Sequence, residues 1–131
     1  MNPLSISVII PARNEKGNID PIIRRLPKFP GEQEVVFVEG HSQDGTLDEI
    51  KRVAGKYGAS MPISFAVQDG VGKADAVWKG FGLAKNDILI ILDADMGVAP
   101  EDLPKFYEAM SEGRKFVNGS RYFYEMENYI N

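Results

Sequence analysis

Asp93 and Asp95 stand one small residue apart in "ILIILDADMG" (88–97), directly behind five apolar residues. An apolar run of that length, rich in β-branched residues, reads as a strand buried in a parallel sheet. Two carboxylates inside such a strand would lose heavily to desolvation. They belong just past its carboxyl end, where open α/β sheets place their ligands. A carboxylate pair at this spacing can grip one hard divalent cation or its waters. Such a cation can hold a diphosphate and neutralise charge on a leaving phosphate. Two other readings fit the pair alone. One is a phosphatase whose first Asp is a nucleophile, and the other is a structural turn in which Asp95 caps the next helix.

The rest of the chain must position that pair, and it alternates strand with helix. Strands are expected at 6–12, 34–40, 62–68, 87–93 and 115–120. Helices are expected at 18–29, 46–58, 73–86 and 100–113. Asn18 is placed as the cap of the first helix. Leu47, Ile50 and Val53 face inward on the second, which Gly58 stops. Ala74, Val77, Trp78 and Phe81 form the apolar stripe of the third, which makes Trp78 a core residue. Pro100 suits the first position of the fourth. Such alternation predicts a parallel sheet covered by helices on both faces, within a single domain over 1–131.

Each expected strand runs into a polar or glycine-rich turn: "PARNEKGN", "EGHSQDGT", "DGVGK", "DADMG" and "GSR". In a parallel sheet all five turns gather on one edge. That edge would carry Arg13, Glu15, Glu39, Asp44, Asp69, Lys73, Asp93, Asp95 and Arg121. A site that handles phosphates and a metal needs this mixture.

Composition excludes several classes. Lys and Arg number 15 against 19 Asp and Glu, a net charge of −4, and no basic stripe marks a nucleic-acid binder. Cysteine is absent, which rules out disulfides and thiolate metal sites and fits a reducing, cytoplasmic setting. The first residues, "MNPLSIS", lack the pattern of a signal peptide, and no apolar run approaches the roughly 20 residues of a membrane span.

Motif context separates the readings of the acidic pair. A haloacid dehalogenase carries its Asp-x-Asp early and needs further groups far downstream, whereas 38 residues follow Asp93. No G-x-G-x-x-G opens the first helix. "VQDGVGKA" matches a P-loop at Gly72-Lys73 alone.

The turns taken together resemble the nucleotide-sugar-binding half of a family 2 glycosyltransferase with a GT-A fold, in the dolichyl-phosphate mannose synthase-like branch. "VIIPARNE" (8–15), "VVFVEGHSQDGT" (35–46), "GVGKADAVWKGFGLAKNDILIILDAD" (70–95), "PEDLPKFYEAM" and "NGSR" carry the resemblance across essentially the whole chain. It implies a three-layer α/β/α fold and a nucleoside-diphosphate sugar, GDP- or UDP-linked, held with Mg²⁺ or Mn²⁺ on Asp93 and Asp95. It further implies that Pro11, Arg13 and Glu15 meet base and ribose. Glu39 would contact the nucleoside and Asp69 the base. Lys73 would lie near the phosphates and Arg121 near the acceptor or phosphates. The parent reaction would be inverting sugar transfer to a lipid phosphate or glycan, at the cytoplasmic face of a membrane where the acceptor is a lipid.

Some positions depart from the family pattern. Glu39-Gly40 replaces the usual acid pair, which leaves uridine and guanosine both open, and His41 is new in that turn. The family's domain runs well beyond "NGSR", and this chain stops ten residues after Arg121. The missing acceptor half implies a chain that transfers no sugar by itself and self-associates through uncovered apolar surface. Two alternatives remain: a non-catalytic nucleotide-binding module, and a nucleotidyltransferase of related fold. The second would want a glycine-rich loop with arginine after the first strand.

Overall fold

A computed structural model describes residues 3–113. Four strands, β1 (Ile6–Ala12), β2 (Gln33–Glu39), β3 (Ile63–Val67) and β4 (Ile88–Ile91), form one sheet in the order β3-β2-β1-β4. Every pair is parallel. β1 pairs along its length with β2, Ile6 to Gln33 through Ala12 to Glu39, and through Ile6–Ile9 with Ile88–Ile91 of β4. The expected fifth strand, Arg121 and the C-terminal tail lie outside the described residues. Among the described residues, no helix is long and apolar enough to cross a membrane.

The helices are α1 (Lys16–Arg25), α2 (Thr46–Tyr57), α3 (Lys73–Leu83) and α4 (Leu103–Ser111), with a 3₁₀ turn at Pro100–Asp102 before the last. Side chains alternate across a strand, so each strand feeds two cores. Val8, Ile10, Val35 and Phe37 face one way and pack with Ile19, Ile22, Ile50, Val53 and Leu103 from α1, α2 and α4. Ile9, Val36 and Val38 face the other way, against Ala76 of α3. The result is the expected three-layer α/β/α architecture.

Two helix readings need correction. α1 starts two residues before Asn18 and ends well before 29. The Lys16 N–H, which has no partner inside its own helix, donates to Asp44 Oδ2 at 3.2 Å, so the helix can begin early. Its end follows from Pro27, because the residue before a proline is driven out of the helical region and Leu26 is extended.

The second correction concerns α3. Trp78 is not core: it is 73% exposed and stands edge-on to Phe81 with ring centroids 5.8 Å apart. Ala74 is exposed as well. The buried positions are Ala76 and Gly80, one turn apart. A Cβ on Gly80 would fall 2.4 Å from Cγ2 of Ile9 and 3.3 Å from Cγ2 of Val38. The small residues let α3 lie close to the sheet, Phe81 packs partly buried beside them, and Trp78 is left outward.

On the opposite face, Asp20 joins α1 to α2. It accepts from Arg24 Nε at 2.8 Å, Arg52 Nη2 at 2.7 Å and Tyr57 Oη at 2.9 Å, with Lys56 Nζ at 3.5 Å. The Arg52 hydrogen bond, ahead of those from Tyr57 and Arg24, holds its carboxyl well below the usual carboxylate range.

Two predictions follow from this packing. Gly80→Ala is expected to lower stability by about 1–3 kcal/mol through overpacking. Gly82→Ala, on the same helix with nothing within 4 Å of the added Cβ, should raise it by about 0.5–1 kcal/mol. Urea midpoints of the two variants check the contrast. Asp20 has a depressed folded-state pKa, so its contribution is complete above the ordinary aspartate value of 3.8 and is lost as pH falls through the folded value. The stability gap between wild type and Asp20→Asn should therefore be constant near neutrality and shrink below about pH 4. Denaturant titrations at stepped pH measure it.

Candidate functional site

The strand order reverses beside β1: β2 lies on one side of it and β4 on the other. The crevice outside the carboxyl ends of β1 and β4 is the place where such sheets bind ligands. A cleft of about 400 Å³ lies there, lined by Pro11, Arg13, Glu15, Gln68, Lys73, Asp93 and Asp95 with Ala12, Gly72, Ala76 and Ala94. Five of the charged residues expected on this edge thus meet around one space.

The turns that carry them are laced together. Asn14 N–H donates to Ser42 Oγ at 2.8 Å, and Gln43 N–H donates back to Asn14 Oδ1 at 2.9 Å. Glu15 N–H donates to Thr46 Oγ1 at 3.0 Å. Asp44 accepts from the Thr46 N–H at 3.0 Å and from the Thr46 hydroxyl. That hydroxyl contact is the main reason its carboxyl lies below its ordinary pKa. Asp44 therefore braces the turn rather than facing the cleft. Among the described residues, the non-glycine positions with positive φ are Asn14, His41 and Met96, in the turns after β1, β2 and β4. Strained backbone of this kind persists where the surroundings fix it, and it clusters at functional edges.

The acidic pair leaves the sheet as expected. Leu92 N–H still donates to Ile9 O at 2.8 Å, and Met96 N–H then closes a turn onto Asp93 O at 3.0 Å. Lys73 Nζ sits 2.8 Å from Oδ1 and 2.9 Å from Oδ2 of Asp93. Asp95 is exposed and accepts the Gly97 N–H on Oδ1 at 2.9 Å, so it closes a local turn instead of capping α4. Glu15 accepts from Asn18 Nδ2 at 2.7 Å on one oxygen. Among the described residues, no set of three or more His, Cys, Asp or Glu is clustered for a metal. Asp93 and Asp95 supply two hard carboxylates, and Mg²⁺-type sites use one or two carboxylates completed by phosphate and water. The donor set therefore fits a divalent cation that arrives with a phosphate ligand.

Two expected contact residues lie elsewhere. Glu39 is 3% exposed and does not line the cleft. Its oxygens accept the N–H groups of Ser42 at 2.6 Å and His41 at 3.1 Å. Asp69 is 82% exposed and pairs with Lys79 at 3.2 Å. The side chain at the cleft from that turn is Gln68, which the sequence reading passed over. It is 5% exposed, and its Nε2 donates to Gly70 O, Gly72 O and Asp75 Oδ2, each at 3.1 Å. His41 Nε2 lies 3.0 Å from Gly70 O, a bond that requires the Nε2–H tautomer.

Comparison with known proteins follows the same lines. The family model described as "Glycosyl transferase family 2" matches residues 7–131. The dolichol-phosphate mannosyltransferase of Saccharomyces cerevisiae is 36% identical over 124 residues, covering 91% of this chain and 45% of that protein. The enzyme of the same name from Pyrococcus furiosus is 33% identical, covering 91% of this chain and 34% of its own length. Among solved structures, the mannosyltransferase PcManGT from Pyrobaculum calidifontis, in complex with GDP-Man and Mn²⁺, superposes with a TM-score of 0.71 at 24% identity. That match covers 86% of this chain and 34% of the other. The chain spans less than half the length of the curated relatives it matches.

The Glu39 geometry makes a prediction of its own. In Glu39→Gln the amide NH₂ must face one of the two backbone N–H donors. Losing that charge-assisted bond in a buried turn is expected to cost about 1.5–3 kcal/mol of stability. An unchanged denaturation midpoint would remove the bracing role.

Proposed function

The chain belongs to glycosyl transferase family 2, and from that premise we propose that its cleft binds a nucleoside-diphosphate sugar with Mg²⁺ or Mn²⁺. The observation that carries this reading is the meeting of Asp93 and Asp95 with Arg13, Glu15 and Lys73 around one crevice at the strand-order switch. Asp93 and Asp95 would hold the cation, whose positive charge would offset the charge of the leaving diphosphate. Arg13 has no acidic partner among the described residues and, with Lys73, suits phosphate oxygens. Glu15 has one carboxylate oxygen held by Asn18, and the other can accept from a ribose hydroxyl. Pro11 and Gln68 line the nucleoside end. Gln68 stands in this reading where the resemblance implied that Glu39 would meet the nucleoside and Asp69 the base.

In the whole protein the reaction is inverting transfer. An acceptor oxygen attacks the anomeric carbon as the bond to the nucleoside diphosphate breaks. Mannosyl transfer to a lipid phosphate is the form suggested by the names of the relatives, and GDP-mannose, the donor in the PcManGT complex, is the first to test. Positioning the acceptor in line accounts for roughly 7–11 kcal/mol of such barriers, so acceptor-binding groups matter as much as the donor cleft.

Calorimetry of GDP and UDP binding, with Mn²⁺ and with chelator, tests the reading. Wild type should bind one of them markedly more tightly with Mn²⁺. Asp95→Asn should lose most of that gain with its thermal midpoint unchanged, because Asp95 is exposed. Equal affinity with metal and with chelator in wild type would refute the metal–diphosphate site.

A further inference from the structure

The Lys73 ammonium occupies both oxygens of Asp93, the carboxylate assigned to the divalent cation. Asp95 Oδ1 is engaged by the Gly97 N–H. Among the described residues, the pair thus keeps one carboxylate oxygen, Asp95 Oδ2, without a protein donor. A cation entering by itself finds half of its protein ligands already paired with a positive charge. It must displace that charge or sit beside it, and both weaken its hold.

Lys73 is built to leave. It is the first residue of α3, directly after Gly72 at φ +90, and its side chain is 61% exposed. Its four-carbon stem is flexible, and its head is a point charge with three rotatable donors. A diphosphate beside Asp93 offers that ammonium more negative charge than one carboxylate does. Once the ammonium moves to the phosphate, both Asp93 oxygens are free for the cation.

We infer that Lys73 is a positioning residue that competes with the divalent cation for Asp93 and yields when a diphosphate arrives, so that cation and nucleotide enter the site together. This inference rests on the metal–diphosphate reading of the cleft and goes beyond it. A lysine that did nothing but bind phosphate would leave the affinity for cation alone unchanged. Coupling between two ligands is reciprocal, so the effect can be read from either one.

The test measures Mn²⁺ binding by the loss of the free-ion electron paramagnetic resonance signal, with and without GDP. Wild type, Lys73→Met and Asp95→Asn are compared. Because Lys73 is exposed, Lys73→Met should keep the wild-type thermal midpoint. It is expected to bind Mn²⁺ alone about fivefold more tightly than wild type, the upper end of what a half-exposed ion pair contributes. The factor by which GDP strengthens Mn²⁺ binding should shrink correspondingly. A gain of less than twofold for Mn²⁺ alone overturns the inference. If GDP still strengthens Mn²⁺ binding in wild type and fails to do so in Asp95→Asn, that null gain leaves the site reading standing. If GDP has no effect on Mn²⁺ binding even in wild type, the site reading and the inference fall together.

Discussion

The site depends on the register of β4 against β1. In a sheet, a slip of one residue turns every side chain to the opposite face. Here it would also move Asp93 and Asp95 along the edge by one residue. The register is fixed at the far end of the strands. Glu34, 7% exposed, accepts the Ser7 hydroxyl at 2.6 Å and the Lys85 N–H at 2.7 Å on one oxygen. Asn86 N–H donates to Ser7 Oγ at 3.2 Å, and Asn86 Nδ2 donates to Ile6 O at 2.8 Å. Asp87 N–H and Ser5 Oγ add a 3.0 Å bond, and the same Ser5 hydroxyl reaches Asp87 Oδ2 at 3.0 Å. Its Ser7–Glu34 bond is buried, where a polar group is costly unless satisfied, and the network ties both neighbours of β1 to it. What is locked at the amino ends of the strands determines where the carboxylates emerge at the carboxyl ends.

The same logic explains how much could be read from the sequence. The strands were legible because each is a short apolar run bounded by glycine, proline or acidic turns. Parallel pairing then required those turns to share an edge, whatever their details. The face of α3 was not legible. Its bulky apolar residues form a helical stripe, and a stripe is ordinarily the buried side. The closest contact with the sheet is made through Ala76 and Gly80, where closeness of approach replaces side-chain volume, and of the stripe Phe81 packs there partly buried while Trp78 stays outside. A glycine inside a helix carried that information, but only as a cost in helix propensity, without naming its neighbour.

Within the site, residue type was legible and hydrogen-bond assignment was not. Glu15, Glu39, Asp44 and Asp69 are equivalent as acids after a strand. The structure separates them by where nearby backbone N–H groups point. Glu39 spends its oxygens on the second turn, Asp44 on that turn and on the start of α1, Asp69 lies out in solvent with Lys79, and Glu15 alone of the four lines the cleft. Gln68 gave no signal because it is neutral. Its placement follows from β3 running parallel to β2, with Gln68 N–H donating to Glu39 O at 2.9 Å.

The charges that remain give a physical reason for a metal in the proposed reaction. The cleft is lined by the carboxylates of Glu15, Asp93 and Asp95 and by the cations of Arg13 and Lys73. Three acids against two bases leave one net negative charge. A nucleoside diphosphate is itself an anion, so the protein groups alone supply no net attraction for it. One divalent cation on the acidic pair reverses the sign, and Arg13 and Lys73 can then pair with phosphate in a site that is positive overall. The acidic pair is half-exposed at Asp93 and exposed at Asp95, so solvent screens these terms and keeps each modest. A site built from modest terms binds well only when its parts arrive together, and in the proposed site the contact of Lys73 with both Asp93 oxygens would favour that order of events.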